Sequence, residues 1–390
     1  MRIGIDATCW ANARGYGRFT RELLKHLVDL PSDHEFVFFL DAASDERFDL
    51  QGPRVRRKRV GLAEAPTQAA SAEGYRSPLD LLRMTHAAAT EPLDVFFFPS
   101  VYTYFPLPLD LPAVVTIHDA IAERFPDLTF ATRRARLFWN AKVALAIRQS
   151  RRVLTVSDFS RRDLAQRLGL DPDRIDVTEE GAAEAYRPAD PRDVADAAAR
   201  LGLGPSDRWF TYVGGFNPHK NVDVLVRAHA GLCRREEHPP FLLLVGGEAS
   251  DVFHGAGGLI RSTIEREGSA AWVRWTGFLP DEELALLHSG AVAVVLPSAC
   301  EGFGLPAVEG AACGCPVIAT TESPLPELLS GGGRFVHPGD ERSLRLALQE
   351  LFEDPGLRDE LGRTALQRAQ ALSWREGAQR ALASLEEAAA

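Results

Sequence analysis

The sequence predicts an α/β protein built from two parallel-sheet domains, and three observations carry that prediction. Short apolar blocks such as Phe36-Val37-Phe38-Phe39-Leu40 and Val95-Phe96-Phe97-Phe98 run without polar alternation, as strands covered on both faces do. Longer stretches with helical spacing separate them, which is the alternation of βαβ units. A length of 390 residues suits two domains better than one.

Composition narrows the class. Hydrophobic residues make up 45%, as in ordinary globular proteins. No apolar run reaches the roughly 20 residues that span a bilayer, and MRIGIDATCW reads as a strand rather than a signal segment, so a cytoplasmic protein is expected. The five cysteines, Cys9, Cys233, Cys300, Cys313 and Cys315, form no zinc pattern, and their odd number argues against a disulfide framework.

The net charge of −10 is unevenly spread, with −1 through Tyr186 and −9 in the remainder. Basic clusters stand at Arg56-Arg57-Lys58-Arg59, Arg133-Arg134-Arg136 and Arg151-Arg152. Surface solvation explains such clusters. Secondarily, a basic face can also hold an anionic acceptor or lipid headgroups, giving a peripheral contact with the inner membrane face. Nucleic acid is not expected, because no basic stripe is interleaved with aromatics in an acidic chain.

In chain order, Arg2 to Ala7 reads as a strand leading through Arg14-Gly15-Tyr16-Gly17-Arg18 into a helix that runs to Leu30. Strand, glycine turn, helix is the arrangement that brings backbone amides to a phosphate. Glu35–Leu40 and Val55–Val60 follow as strands. Gly61–Pro78, rich in Ala, Ser, Pro and Gly, reads either as a loop on the acceptor side or as a surface insertion. Asp94–Pro99 and Pro112–Ile117 are further strands, the second ending at His118-Asp119. His118 is singled out by that position, since ligands of parallel sheets sit beyond the carboxyl ends of strands. Asp119 suits a cap or a turn support.

Thr129 to Ser150 has helical spacing with several arginines, Val153–Val156 is a strand, and Ser157-Asp158 caps the next helix. Tyr186–Arg192, with two prolines, is the expected hinge, giving domains 1–187 (with 373–390) and 188–372. A second sheet opens with Trp209–Val213, followed by Gly214-Gly215-Phe216-Asn217-Pro218-His219-Lys220-Asn221 and a helix. Phe241–Val245 and Ala291–Leu296 are read as strands, Val273–Pro280 as the stretch that precedes an acidic helix start at Asp281-Glu282-Glu283, Ser330–Arg334 as a turn, and Asp340–Glu353 and Trp374–Glu387 as helices.

The strand Ala291–Leu296 delivers the stretch PSACEGFGLPAVEGAACGCPV, beginning at Pro297. Glu301 precedes Gly302-Phe303-Gly304-Leu305, and Pro306 suits the first position of a helix. The free N–H groups of Gly302 to Leu305, aided by the helix dipole, form an anion site that needs no side-chain cation. Carboxylates beside such a nest need partners other than phosphate, and sugar hydroxyls fit.

Glu301 and Glu309, with seven residues between them, the GFGLP filling, Ser298 before and Ala312-Cys313-Gly314-Cys315-Pro316-Val317 after, resemble the E-x7-E motif of retaining glycosyltransferases of the GT-B fold, family four (glycosyltransferase group 1). The likeness extends over nearly the whole chain, strongest from Tyr212 to Glu327. It implies two Rossmann-like domains facing a deep cleft, with the C-terminal helix crossing back to the first domain. VVTIHD is similar to the family corner whose histidine meets the donor sugar, and VSDFSRRDL to its last strand and helix of the first domain.

The same resemblance implies residue roles. His118, Glu301 and Lys220 would act on the donor sugar and diphosphate, with Glu301 fixing sugar hydroxyls. Gly15, Tyr16, Gly17, Gly214, Gly215, Asn221, Ser298, Gly302, Phe303, Gly304 and Leu305 would bind the donor, with the base near Phe278 and Leu279 and the ribose on Glu309. An arginine common in the family is replaced by Gly215, which shifts dependence to Lys220 and the amide nest; Glu180 also departs from the pattern.

The implied activity is retaining, metal-independent transfer from a nucleotide sugar, GDP-mannose favoured over a UDP-sugar, to a glycan, a lipid-linked saccharide or a small molecule. No D-x-D motif sits in a suitable loop, so no metal or other cofactor is expected. A GT-B nucleotide-sugar epimerase and a non-catalytic sugar-binding homologue are the competing readings. NAD chemistry is disfavoured, because no G-x-G-x-x-G with the required acid spacing follows a strand.

Overall fold

The computed structural model describes residues 1–12, 15–63, 77–130, 132–247 and 256–390. Arg14, most of Gly61–Pro78, and Glu248 lie outside the described residues. The chain divides into two compact units, 1–180 with 373–390, and 181–372.

The first unit is built on β1 (Arg2–Asp6), β2 (Glu35–Leu40), β3 (Val55–Arg59), β4 (Val95–Phe98), β5 (Ala113–Thr116), β6 (Ser150–Thr155) and β7 (Ile175–Val177). They form one sheet in the order β3-β2-β1-β4-β5-β6-β7, every described pair parallel. Central strands carry no polar face: Phe36, Phe38, Phe96, Phe97 and Phe98 are wholly buried. The edge strand β3, VRRKR, is by contrast mostly basic and largely exposed. Its Arg56 pairs with Glu35 and its Lys58 with Glu91, so this basic cluster serves to blunt a sheet edge.

The final helix, Trp374–Ala389, belongs to the first unit. Ser384 donates to Asp176 (2.7 Å), and Arg151 donates to the Ala388 carbonyl (2.9 Å). Gly377 permits the approach, since a Cβ there would lie 2.4 Å from the Glu179 carbonyl oxygen.

The second unit contains β8 (Trp209–Val213), β9 (Phe241–Val245), β10 (Val273–Gly277), β11 (Ala293–Leu296), β12 (Val317–Thr320) and β13 (Gly333–Val336). Their order is β10-β9-β8-β11-β12-β13, again parallel throughout. In each unit the chain adds strands outward in one direction and then returns to the other side of its first strand. The reversals fall between β1 and β4 and between β8 and β11. Loops leaving neighbouring strands diverge there, opening the crevice in which parallel sheets bind ligands.

Some elements depart from the expectations. Gly15, Tyr16 and Gly17 form the first turn of the Gly15–Asp29 helix rather than a turn ahead of it. Gly333 and Arg334, read as part of a turn, begin β13; the glycine at 333 is needed because a Cβ would fall 2.2 Å from the Val317 carbonyl oxygen. Tyr186, in the stretch read as a hinge, is buried in the second unit, and its hydroxyl donates to Asp281 (3.0 Å).

Candidate functional site

The crevice-forming loops of the second unit are Gly214–Asn221, after β8, and Pro297–Leu305, after β11. Two hydrogen bonds lock them together. Asn221 adopts a left-handed conformation (φ 52°), the only described non-glycine residue with positive φ, and its Nδ2 donates to the Pro297 carbonyl (3.1 Å). The Ala299 N–H donates to the His219 carbonyl (2.7 Å). A strained residue held by its own side chain marks a position that the surroundings over-determine.

This clamp brings the Lys220 ammonium to 2.8 Å from Glu301 Oε1. Ser298, fully buried, donates its hydroxyl to the same oxygen (2.5 Å), and the Glu301 N–H donates to the Glu322 carbonyl (3.0 Å). Burial by itself would raise the Glu301 pKa, but the Lys220 charge, the two side-chain hydrogen bonds and nearby His219 together hold it below the usual carboxylate range. Glu301 is therefore an oriented anion at neutral pH, partnered on one oxygen by a cation.

Ser298, predicted as a donor contact, thus turns inward onto Glu301. Ser298→Ala is expected to raise the Glu301 pKa and lower turnover about tenfold, the cost of one hydrogen bond to a charged group. Ser298→Thr restores the rate. Measured pH profiles should show the acidic limb moving upward in the alanine variant, and an unmoved limb would sink this role.

Beyond Glu301, Gly304 takes a left-handed φ of 89°, and a Cβ there would meet Leu325 Cδ1 at 2.6 Å. It caps the Leu305–Ala312 helix with no side-chain bond, and Pro306, read as its first position, is its second residue, after Leu305. Glu309 is buried within that helix. Gly310 presses the helix onto β11, leaving 2.2 Å between a hypothetical Cβ and Val294 Cγ2. On the β8 side, the Tyr212 hydroxyl donates to the Gly215 carbonyl (2.5 Å). Gly214 comes so close to Gly246 that a Cβ at 246 would lie 2.2 Å from the Gly214 carbonyl oxygen.

Phe278 and Leu279 follow β10, the far edge strand of this sheet. Phe278 is 66% exposed, whereas Leu279 packs against the cluster that contains Trp209, Phe241 and Leu243. The sequence reading missed His219. Its Nδ1 is buried with no hydrogen-bond partner among the described residues, and burial, reinforced by the Lys220 charge, lowers its pKa to about 4. Its place between Pro218 and Lys220 was the only available signal.

In the first unit, His118 leaves β5 with its ring edge-on to Phe19 (4.6 Å, 88°). Burial lowers its pKa to about 4, opposed by a hydrogen bond to the Pro99 carbonyl. Nε2 is buried with no hydrogen-bond partner among the described residues. The bond to Pro99 therefore comes from Nδ1–H, which leaves Nε2 with a lone pair able to accept a hydroxyl proton. Asp119 accepts from the Ile121 N–H (2.9 Å), supporting the turn. Gly17 is required because a Cβ would lie 2.2 Å from the Asn12 carbonyl oxygen. The Tyr16 hydroxyl accepts from Asn12 Nδ2 (2.5 Å), and its ring stacks on Tyr102 (5.2 Å).

Among the described residues, no group of three or more His, Cys, Asp or Glu side chains is placed to hold a metal ion, and no helix is long and apolar enough to cross a membrane.

Residues 194–368 match the family model described as Glycosyl transferases group 1, and residues 13–182 match the model described as Glycosyltransferase Family 4. The chain belongs to this glycosyltransferase family. The glycosyltransferase is 27% identical over 368 residues to the O-antigen chain mannosyltransferase B of Escherichia coli, covering 92% of each chain. It is 33% identical over 245 residues to the D-inositol 3-phosphate glycosyltransferase of Frankia alni, covering 61% of this chain and 59% of that one. Among solved structures, Anabaena HepE in complex with UDP and glucose superposes with a TM-score of 0.75 at 20% identity, over 99% of this chain and 100% of the other. The glycosyltransferase thus has the GT-B architecture of two Rossmann-like α/β domains.

Proposed function

We propose that the protein transfers a hexosyl group, mannosyl favoured, from a nucleoside-diphosphate sugar to a glycan, a lipid-linked saccharide or a small-molecule acceptor, with retention of anomeric configuration and without a metal. The observation that carries the reading is the Lys220–Glu301 pair at the β8/β11 crevice, immediately before the helix that starts at Leu305 and has no side-chain cap. A diphosphate carries more negative charge than one carboxylate and competes with Glu301 for the ammonium. Lys220 and the amides of Gly302 to Leu305 stabilise the charge that develops on the leaving group. Glu301 then holds sugar hydroxyls, Glu309 holds the ribose, and the neutral His118 accepts a donor-sugar hydroxyl.

As the anomeric carbon–oxygen bond to the diphosphate breaks, the acceptor oxygen bonds on the same face and its proton passes to the departing diphosphate. No side chain is assigned as nucleophile. The O-antigen mannosyltransferase likeness supports mannose and, with Gly215 and Lys220-Asn221, a guanine nucleotide. A uracil donor is the second reading, favoured by the likeness to HepE, which was solved with UDP and glucose. Peripheral contact with an anionic membrane face through the basic face of the first unit completes the proposal.

Calorimetric titration with GDP and UDP tests the donor. GDP is expected to bind at least about tenfold tighter, a difference of about 1.4 kcal/mol, and a chelator should leave turnover unchanged. Equal, weak binding of both would remove the donor assignment, and an inverted anomer in the product would remove retention.

A further inference from the structure

The Arg133–Gln149 helix of the first unit (RRARLFWNAKVALAIRQ) carries five basic residues and no acid, in a chain of net charge −10. It has two apolar sides. Trp139, Val143 and Ala146 are buried and fall on one side at 3.6 residues per turn. On the opposite side Arg134, Leu137, Phe138, Ala141, Leu145 and Arg148 share one stripe, about 100° wide, and every one is exposed. Leu137, Phe138 and Leu145 are 69%, 54% and 52% exposed. Gln149, the last residue of the helix, holds the N–H and carbonyl of buried Leu107 (3.0 and 2.8 Å), and Leu109, two residues beyond Leu107, is also fully exposed.

The three basic clusters of the first unit differ in what faces them. Arg56 and Lys58 are paired with carboxylates on a sheet edge, and Arg152 is paired with Asp176. Arg133, Arg134 and Arg136 have no carboxylate partner among the described residues. Arg134 instead lays its guanidinium over the Phe138 ring (5.4 Å). Lys142 is committed inward, donating to the Tyr102 carbonyl (3.2 Å) and facing Trp139 (4.8 Å).

We infer that this helix docks the enzyme on an anionic lipid bilayer, lying in the interface with Leu137, Phe138 and Leu145 among the acyl chains and the arginines at the headgroup phosphates. A large exposed apolar stripe flanked by unpaired cations is the pattern of interfacial helices. Arginine stems reach along the apolar side while their charges stay at headgroup level. A second copy of the chain fits the face poorly, because two such helices would bring like charges together. This inference rests on the peripheral contact included in the proposed function and gives it a surface and a lipid chemistry.

The test is co-sedimentation of the full-length protein with vesicles of phosphatidylcholine alone and vesicles that also contain phosphatidylglycerol. Wild type should pellet with the anionic vesicles only and be released by high salt. Leu137→Glu/Phe138→Glu and the Arg133→Glu/Arg134→Glu/Arg136→Glu variant should each bind at least tenfold more weakly. Leu346→Glu, at an exposed leucine of the second unit (49%), should bind as wild type.

Calorimetric binding of nucleoside diphosphate, read in the same variants, should stay unchanged and separates failure of docking from failure of the donor site. Absence of binding to anionic vesicles, or binding unaffected by the helix variants, overturns the inference. So does a concentration-dependent dimer abolished by Leu137→Glu/Phe138→Glu, which would give the face to a second copy.

Discussion

Lys220→Ala is expected to lower kcat/KM about 10²- to 10³-fold, the cost of losing one preorganised charge at the leaving group. The structure adds a second consequence. Glu301 is buried, and the ammonium at 2.8 Å is its only cationic hydrogen-bond partner among the described contacts. Without it, burial dominates and the Glu301 pKa climbs. In wild type the depressed pKa contributes stability that is fully present above the ordinary value of 4.5 and is lost as pH falls through the lower folded value. The variant lacks that contribution at neutral pH, and its carboxylate takes up a proton at higher pH than in wild type.

The stability loss should stay modest, because the two side chains keep 21% and 11% of their surface in solvent and water screens the pair. Lys220→Arg should not rescue turnover, since a planar fork cannot occupy the place of a point charge between Ser298 and the β8 loop. Steady-state kinetics with melting curves check both parts. Wild-type kinetics in a folded Lys220→Ala protein would remove Lys220 and Glu301 from the site.

Much of this architecture was legible in the sequence, for identifiable reasons. Strands such as β4 and β9 are unbroken apolar blocks because both faces of the sheet are covered, and that leaves a compositional trace. The reversals between β1 and β4 and between β8 and β11 were not legible, because strand order depends on pairing between distant segments. Within the site, glycines and acids announced themselves by spacing, whereas side-chain direction did not. Ser298 sits in the predicted stretch yet serves Glu301, and Asn221 holds the Pro297 carbonyl from a left-handed backbone. His219 left no trace because a histidine beside a lysine is unremarkable until both are buried. Helices without glycine-loop neighbours, such as Pro191–Arg200 and Pro355–Ala369, carry no motif that would single them out.

Acidification is expected to unfold the second unit before the first. Among the described residues, four histidines are held neutral by burial: His118 in the first unit, and His219, His229 and His288 in the second, with pKa values lowered from 6.5 to about 4, or about 3 for His288. His229 Nε2 meets the Pro240 carbonyl (2.9 Å) and His288 Nδ1 meets Thr211 Oγ1 (3.1 Å), so both rings are fixed in the core. The unfolded chain binds protons near pH 6.5 while the folded chain does not until about 4. Between those values the unfolded state holds more protons, and stability falls as pH falls.

At about pH 5 each histidine withdraws on the order of 2 kcal/mol. Three of them together approach the whole stability of a typical domain, whereas one does not. The protonation of Glu301 adds to the same unit with the same sign at lower pH. Hydrogen exchange read by mass spectrometry at neutral pH and at about pH 5 should show β8, β9 and β11 losing protection first. His288→Gln, which removes one titrating group, should flatten the pH dependence even where it lowers stability at neutral pH. Equal loss of protection in both units would mean that these buried histidines do not govern acid unfolding.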